Sequence, residues 1–260
     1  MSNDAVRGST EPKAPGALLM LLEGRAPWEF AASLAVNPWL ARLLKSGPGD
    51  GHAVLVFPGL AVGDFSTWPL RHFLREQGYA PYPWGLGANR GPEALPRCIQ
   101  LARSISEQHG GPISLLGWSL GGIYAREVAK ALPDRTRCVI TLGTPFAGHP
   151  RSTNAWRLYE FLSRQAPDAA TLARVREAPP VPTTSIYSKS DGIVAWECSL
   201  NADGPLVENI CIQASHFGMG ANPLALYVIA DRLAQDPARW QRFDANGLKR
   251  WFFDTRAALA

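Results

Sequence analysis

The chain has 260 residues, 46% hydrophobic and 18% charged, enough length and apolar content for one core-bearing domain and against disorder throughout. A net charge of +4, without a block of like charges or a nucleic-acid motif, leaves no nucleic-acid partner expected. No apolar run nears the roughly 18 residues of a membrane span and no secretory leader is visible, so a cytoplasmic chain is expected, with peripheral membrane contact left open.

Residues 1–16 are polar with Pro and Gly and read as a mobile tail. Residues 17–45 read as one or two short helices, interrupted near Pro27 and Pro38, and carry Trp28, Phe30, Trp39 and Leu43. A loop at Gly47-Pro48-Gly49-Asp50-Gly51 ends this extension, which divides the chain into an N-terminal part, 1–50, and a main domain, 51–260. The pattern then becomes short apolar runs alternating with amphipathic stretches. Strands are expected at 53–57, 79–82, 113–116, 138–142, 183–187 and 207–213. Helices are expected over 67–77, from Leu95 through Ile105, over 123–132, and after Asn222, with Pro223 at its first position. Such alternation predicts an α/β fold, a mainly parallel sheet covered by helices on both faces. The stretch 147–180 breaks the rhythm. Its helical signals predict an insertion above the sheet, either a lid or a static cap.

Within this pattern, Gly117-Trp118-Ser119-Leu120-Gly121 fits G-x-S-x-G, between an apolar strand and a helix. The glycines suit a strained turn that lifts the Ser119 hydroxyl above the sheet edge at a helix N-terminus. A serine needs a base to become a nucleophile. His216 follows the last strand, and Asp191 follows an earlier one, so the order is Ser119, Asp191, His216. Asp191 would orient His216 and stabilise its charged form. Glu197 and Asp203 are the reserve acids. The other histidines fit less well: His52 sits at the wrong end of the first strand, His72 and His109 fall in helices, and His149 borders the insertion. The developing oxyanion needs two donors. The backbone N–H groups of Leu120, after the serine, and Leu60, after the first strand, are the candidates. Trp118, Phe146, Trp156 and Phe161 are candidates for the substrate pocket, with core packing as the competing use. Gly-rich Trp84-Gly85-Leu86-Gly87 lacks the full pattern of a phosphate loop.

At these residues the chain resembles the α/β-hydrolase superfamily, within it the bacterial lipase and esterase branch. The elbow Gly117-Trp118-Ser119-Leu120-Gly121-Gly122, the segment Leu142-Gly143-Thr144-Pro145-Phe146 and the loop Ser188-Lys189-Ser190-Asp191-Gly192-Ile193-Val194 carry the resemblance, which covers about residues 52–235. It implies an α/β-hydrolase fold and cleavage of a small ester or lipid substrate through an acyl-enzyme, with no metal or organic cofactor. Many relatives have His-Gly after the first strand, where this chain has Pro58-Gly59. An acyltransferase with the same residues, and a non-catalytic binding protein on the same fold, remain the alternatives. The cysteines, Cys98, Cys138, Cys198 and Cys211, have no zinc-ligand spacing and read as buried thiols, with a Cys198–Cys211 disulfide as the other option.

Overall fold

A computed structural model describes residues 12–43, 49–163 and 167–255, with side chains left aside over 36–43. Most of the tail expected over 1–16 lies outside the described residues. Its described end is docked: the Pro15 carbonyl accepts a hydrogen bond from Asn154 Nδ2 at 3.0 Å. Helix α1 (Ala17–Leu22) leads through one tight turn into α2 (Ala26–Leu43). Pro27 falls in the first turn of α2, where its missing N–H has no intrahelical role. The interruption expected near Pro38 is absent. The helix runs through that residue, since a proline deletes one ladder bond and bends a helix more readily than it ends one.

The main domain follows in the order β1 (Ala53–Phe57), α3 (Trp68–Glu76), β2 (Ala80–Pro83), α4 (Leu95–His109), β3 (Ile113–Trp118), α5 (Leu120–Ala131) and β4 (Thr136–Leu142). After the insertion, with α6 (Trp156–Ser163) and α7 (Ala169–Arg176), come β5 (Thr183–Tyr187), β6 (Val207–Cys211) and α8 (Pro223–Leu233). Among the described residues the strands form one six-stranded sheet in the order β2-β1-β3-β4-β5-β6. Every neighbouring pair is parallel.

All five residues of β1 are buried, as a strand covered on both faces requires. Val54 and Val56 face Leu70, Phe73 and Leu74 of α3 and Leu226 and Ile229 of α8. Ala53, Leu55 and Phe57 face Cys98 and Ala102 of α4 and Tyr124 and Val128 of α5. Each fully buried leucine or valine contributes about 1.5–3 kcal/mol. At the start of α8, Asn222 accepts the Leu224 N–H at 2.9 Å, the expected N-cap. Helix α5 begins at Leu120, three residues before the expected start at Ile123. Gly121 and Gly122 resemble breakers in the sequence, but they sit in a first turn pressed against β1 and Thr144.

Because the chain runs from β1 outward to β2 and then back across to β3, the sheet has a topological switch between β1 and β3. A crevice opens there at the carboxyl ends of the strands, the usual ligand position in open α/β sheets. Cys198 and Cys211 are not joined, and none of the four cysteines forms a disulfide. Among the described residues no helix is long and apolar enough to cross a membrane.

Candidate active site

Ser119 follows β3 at that crevice. Its backbone has φ 55° and ψ −126°, a sparsely populated conformation for a residue with a side chain. Two glycines permit the turn. A Cβ on Gly117 would stand 2.3 Å from the Gly121 carbonyl oxygen, and one on Gly121 2.3 Å from that of Phe57. The Ser119 N–H donates to the Leu142 carbonyl at 2.8 Å, which ties the turn to β4.

His216 reaches Ser119 from the loop after β6. Its Nε2 lies 3.0 Å from Ser119 Oγ, and its Nδ1 lies 2.7 Å from Asp191 Oδ2. The other oxygen of Asp191 accepts the N–H groups of Ile193 and Val194, both at 2.8 Å. The carboxylate is therefore fixed on one side by its own loop and presents one oxygen to the imidazole. The carboxylate that meets the ring is Asp191; of the reserve acids, Asp203 is exposed and Glu197 lies in the helical turn Trp196–Ser199. His52 pairs with Asp50 and Ser114 at the opposite end of the strands.

His216 and Asp191 are 2% and 3% exposed. Burial is the largest influence on His216 and disfavours its cation. The Asp191 carboxylate, by charge and by hydrogen bond, and then Glu23 outweigh it, so the His216 pKa stands above the ordinary histidine value. Such an imidazole accepts a proton from a hydroxyl more readily and holds it better once charged.

Leu60 and Leu120 both line the cavity that holds Ser119. Neither backbone N–H donates to a backbone carbonyl among the described residues. Leu120 opens α5, where the first N–H groups have no intrahelical acceptor. The loop carrying Leu60 is braced by buried Asn89, a residue that no motif in the sequence marks. Its Nδ2 donates to the Pro58 carbonyl at 2.9 Å, and its backbone pairs with Ala61 and Val62. Pro58 in place of the histidine of many relatives thus leaves this loop anchored.

The cavity has a volume of about 130 Å³ and opens to solvent. Its walls are mostly apolar, with Leu95, Ile123 and Phe146 from the main domain and Tyr159, Leu172 and Val175 from the insertion. Phe146 rests on the buried Arg126 guanidinium, 3.7 Å from its ring centre. Arg126 in turn donates to the Arg176 and Glu177 carbonyls at 3.1 and 3.0 Å, pinning the end of α7 to α5. Residues of α6 and α7 thus form part of the wall of the cavity that holds Ser119.

Phe146 is the one of the four aromatic pocket candidates that lines this cavity. Trp118 points to the other face of the sheet, in step with Leu116 two residues earlier. Its indole N–H donates to the His216 carbonyl at 3.0 Å, so it supports the histidine loop. Trp156 instead meets the Arg151 and Arg157 guanidinium groups, 5.5 and 5.3 Å from its ring centre. Phe161 is 78% exposed, because α6 turns Tyr159 to the cavity and Phe161 away from it. Among the described residues no group of three or more His, Cys, Asp or Glu converges as a metal site would.

No family model matches the chain, and no curated protein matches it in sequence. Its structure is similar to many solved ones. With Aspergillus fumigatus lipase B the TM-score is 0.59 at 21% identity, over 76% of this chain and 57% of that one. The chain thus spans little more than half of the fungal lipase. A Bacillus licheniformis lipase in its mature form gives 0.54 at 16% identity, over 72% and 94% of the two chains. Paleococcus ferrophilus monoacylglycerol lipase gives 0.50 at 16% identity, over 72% and 96%. A parallel sheet with this strand order, a strained serine at the β3–α5 turn and these likenesses together establish that the chain has the α/β-hydrolase fold.

Proposed function

We propose that the protein is a serine hydrolase that cleaves carboxylic esters with an apolar acyl part. One observation carries the reading: the unbroken hydrogen-bonded line from Ser119 through His216 to Asp191, with the serine opening into an apolar cavity. The lipases that share the fold agree with it.

In this reading His216 Nε2 takes the Ser119 proton as Oγ attacks the ester carbonyl. The carbonyl oxygen becomes an oxyanion beside the N–H groups of Leu60 and Leu120. His216 then gives the proton to the leaving alcohol. An acyl group remains on Ser119, seated among Ile123, Phe146, Leu172 and Val175. Water, activated by the same imidazole, releases the acid. Asp191 holds the productive tautomer and offsets the imidazolium charge.

Turnover of a series of p-nitrophenyl esters by the full chain tests this. The expected result is acyl-chain-dependent hydrolysis that His216→Ala abolishes. Hydrolysis that survives His216→Ala would overturn the mechanism. Added alcohols report the partition of the acyl-enzyme, and predominant ester formation in water would turn the assignment to acyl transfer.

A further inference from the structure

The N-terminal segment bears no motif, yet it touches both loops that bring Asp191 and His216 together. Glu23, in the turn between α1 and α2, is 6% exposed. Its Oε1 accepts the Gly192 N–H at 2.7 Å and the His216 N–H at 2.9 Å. Its Oε2 accepts the Phe217 N–H at 3.0 Å. One carboxylate thus holds the residue after Asp191, His216 itself and the residue after His216. A buried carboxylate is costly without partners, and here three backbone donors satisfy it.

The approach is close. A Cβ on Gly192 would lie 2.3 Å from the Leu19 carbonyl oxygen, so the segment can pack there only against glycine. A second carboxylate repeats the pattern beside the first. Glu29 accepts the Ser215 N–H at 2.7 Å and Asn222 Nδ2 at 3.1 Å. Arg25 pairs with Glu29 at 3.0 Å and donates to the Ser190 carbonyl at 2.9 Å. The acid loop and the histidine loop are joined twice through residues that precede the sheet in sequence.

We propose that Glu23 is a positioning residue, which fixes the separation of Asp191 and His216 by binding the backbone of both loops on one carboxylate. The proposal rests on the reading of Ser119, His216 and Asp191 as the reacting line. The segment is thereby part of the site, although it contributes no atom to the reaction. The charged groups around His216 are Asp191 at its ring, Glu23 at its backbone, and Glu29 with its partner Arg25 at the adjoining Ser215. Removing the Glu23 charge removes one influence that raises the His216 pKa.

The test uses the full chain as wild type, Glu23→Gln, Glu23→Asp and Glu23→Ala, each checked for folding by circular dichroism. Two readouts are taken. The first is kcat and KM for an ester across pH. The second is the low-field proton resonance of the His216 Nδ1–H hydrogen-bonded to Asp191, which needs no substrate and which Asp191→Asn identifies. We expect Glu23→Ala to lower kcat by about 10–100-fold, with KM within about two-fold, because a small misplacement of reacting groups acts on turnover. The resonance should weaken or shift, and its titration midpoint should fall. Glu23→Asp should restore part of both. Glu23→Gln keeps the side-chain size and should lower the midpoint even where Glu23→Ala does not fold. A folded Glu23→Gln or Glu23→Ala variant with wild-type resonance, midpoint and kcat would overturn the proposal. If the wild type cleaves no ester but the resonance responds as expected, positioning stands and the hydrolase reading fails.

Discussion

The central sheet and the N-terminal segment both shape the site, by different physical means. The sheet does so through repetition. Continuous apolar runs make β1 and β3 strands, the strands set the switch point, and Ser119 and Leu60 line one cavity there. The N-terminal segment does so through single long-range contacts. Glu23 meets residues at 192, 216 and 217, and Arg25 meets Ser190. Its outward side is apolar and exposed, with Leu18, Leu21 and Trp28 in solvent. The difference teaches that a site can be held by an element that shares none of its periodicity and none of its motif.

Substitutions on the two sides should separate these contributions. The largest effect is expected from Asp191→Asn, which keeps the shape but disfavours the productive tautomer of His216. Steady-state kinetics should show kcat down about 10,000-fold. A loss under about ten-fold would mean that Asp191 is not the orienting acid. Next comes Gly192→Val, whose side chain meets the Leu19 carbonyl. It should displace the segment and lower kcat by about 10–100-fold while the sheet stays folded. Unchanged turnover would show that the segment only decorates the domain.

Leu55→Ala acts from the other side. Leu55 is fully buried in β1, and its truncation should cost about 2–5 kcal/mol in denaturant unfolding. The folded fraction should keep near-normal kcat. A large kcat loss there, with little loss of stability, would reverse the division of labour drawn between sheet and segment. The smallest effect concerns pH. His216 must be neutral to accept the serine proton, and its pKa is raised, so activity is lost as pH falls through a midpoint above the ordinary value of about 6.5. The acid limb of kcat/KM measures it, and a limb below that value would contradict the influence of the two carboxylates.

What could be read from the sequence follows the same line. The strand runs, the helix cap at Asn222 and the serine elbow are local patterns, and local patterns carry physical signatures in the sequence. Asp191 and His216 were legible from their places after two late apolar strands and from the chain order Ser119, Asp191, His216, and the structure brings the two side chains within 2.7 Å. Glu23 had no such signature. It stands as one acid in an apolar stretch, and its partners are backbone groups, which every residue possesses. Asn89 escaped for the same reason, as its side chain holds a carbonyl. Trp118, Trp156 and Phe161 do not line the cavity, and aromatic character alone does not say which face of an element a residue occupies. Strand alternation settles Trp118, and helical rotation settles Phe161.

The most direct measurement is labelling of the folded full chain with a fluorophosphonate, followed by peptide mapping, with Ser119→Ala as the comparison. Only an activated serine with an accessible pocket should react at a useful rate. The account predicts one labelled residue, Ser119, and no label on the variant. A label on another residue, or none on a folded wild-type chain, would contradict it.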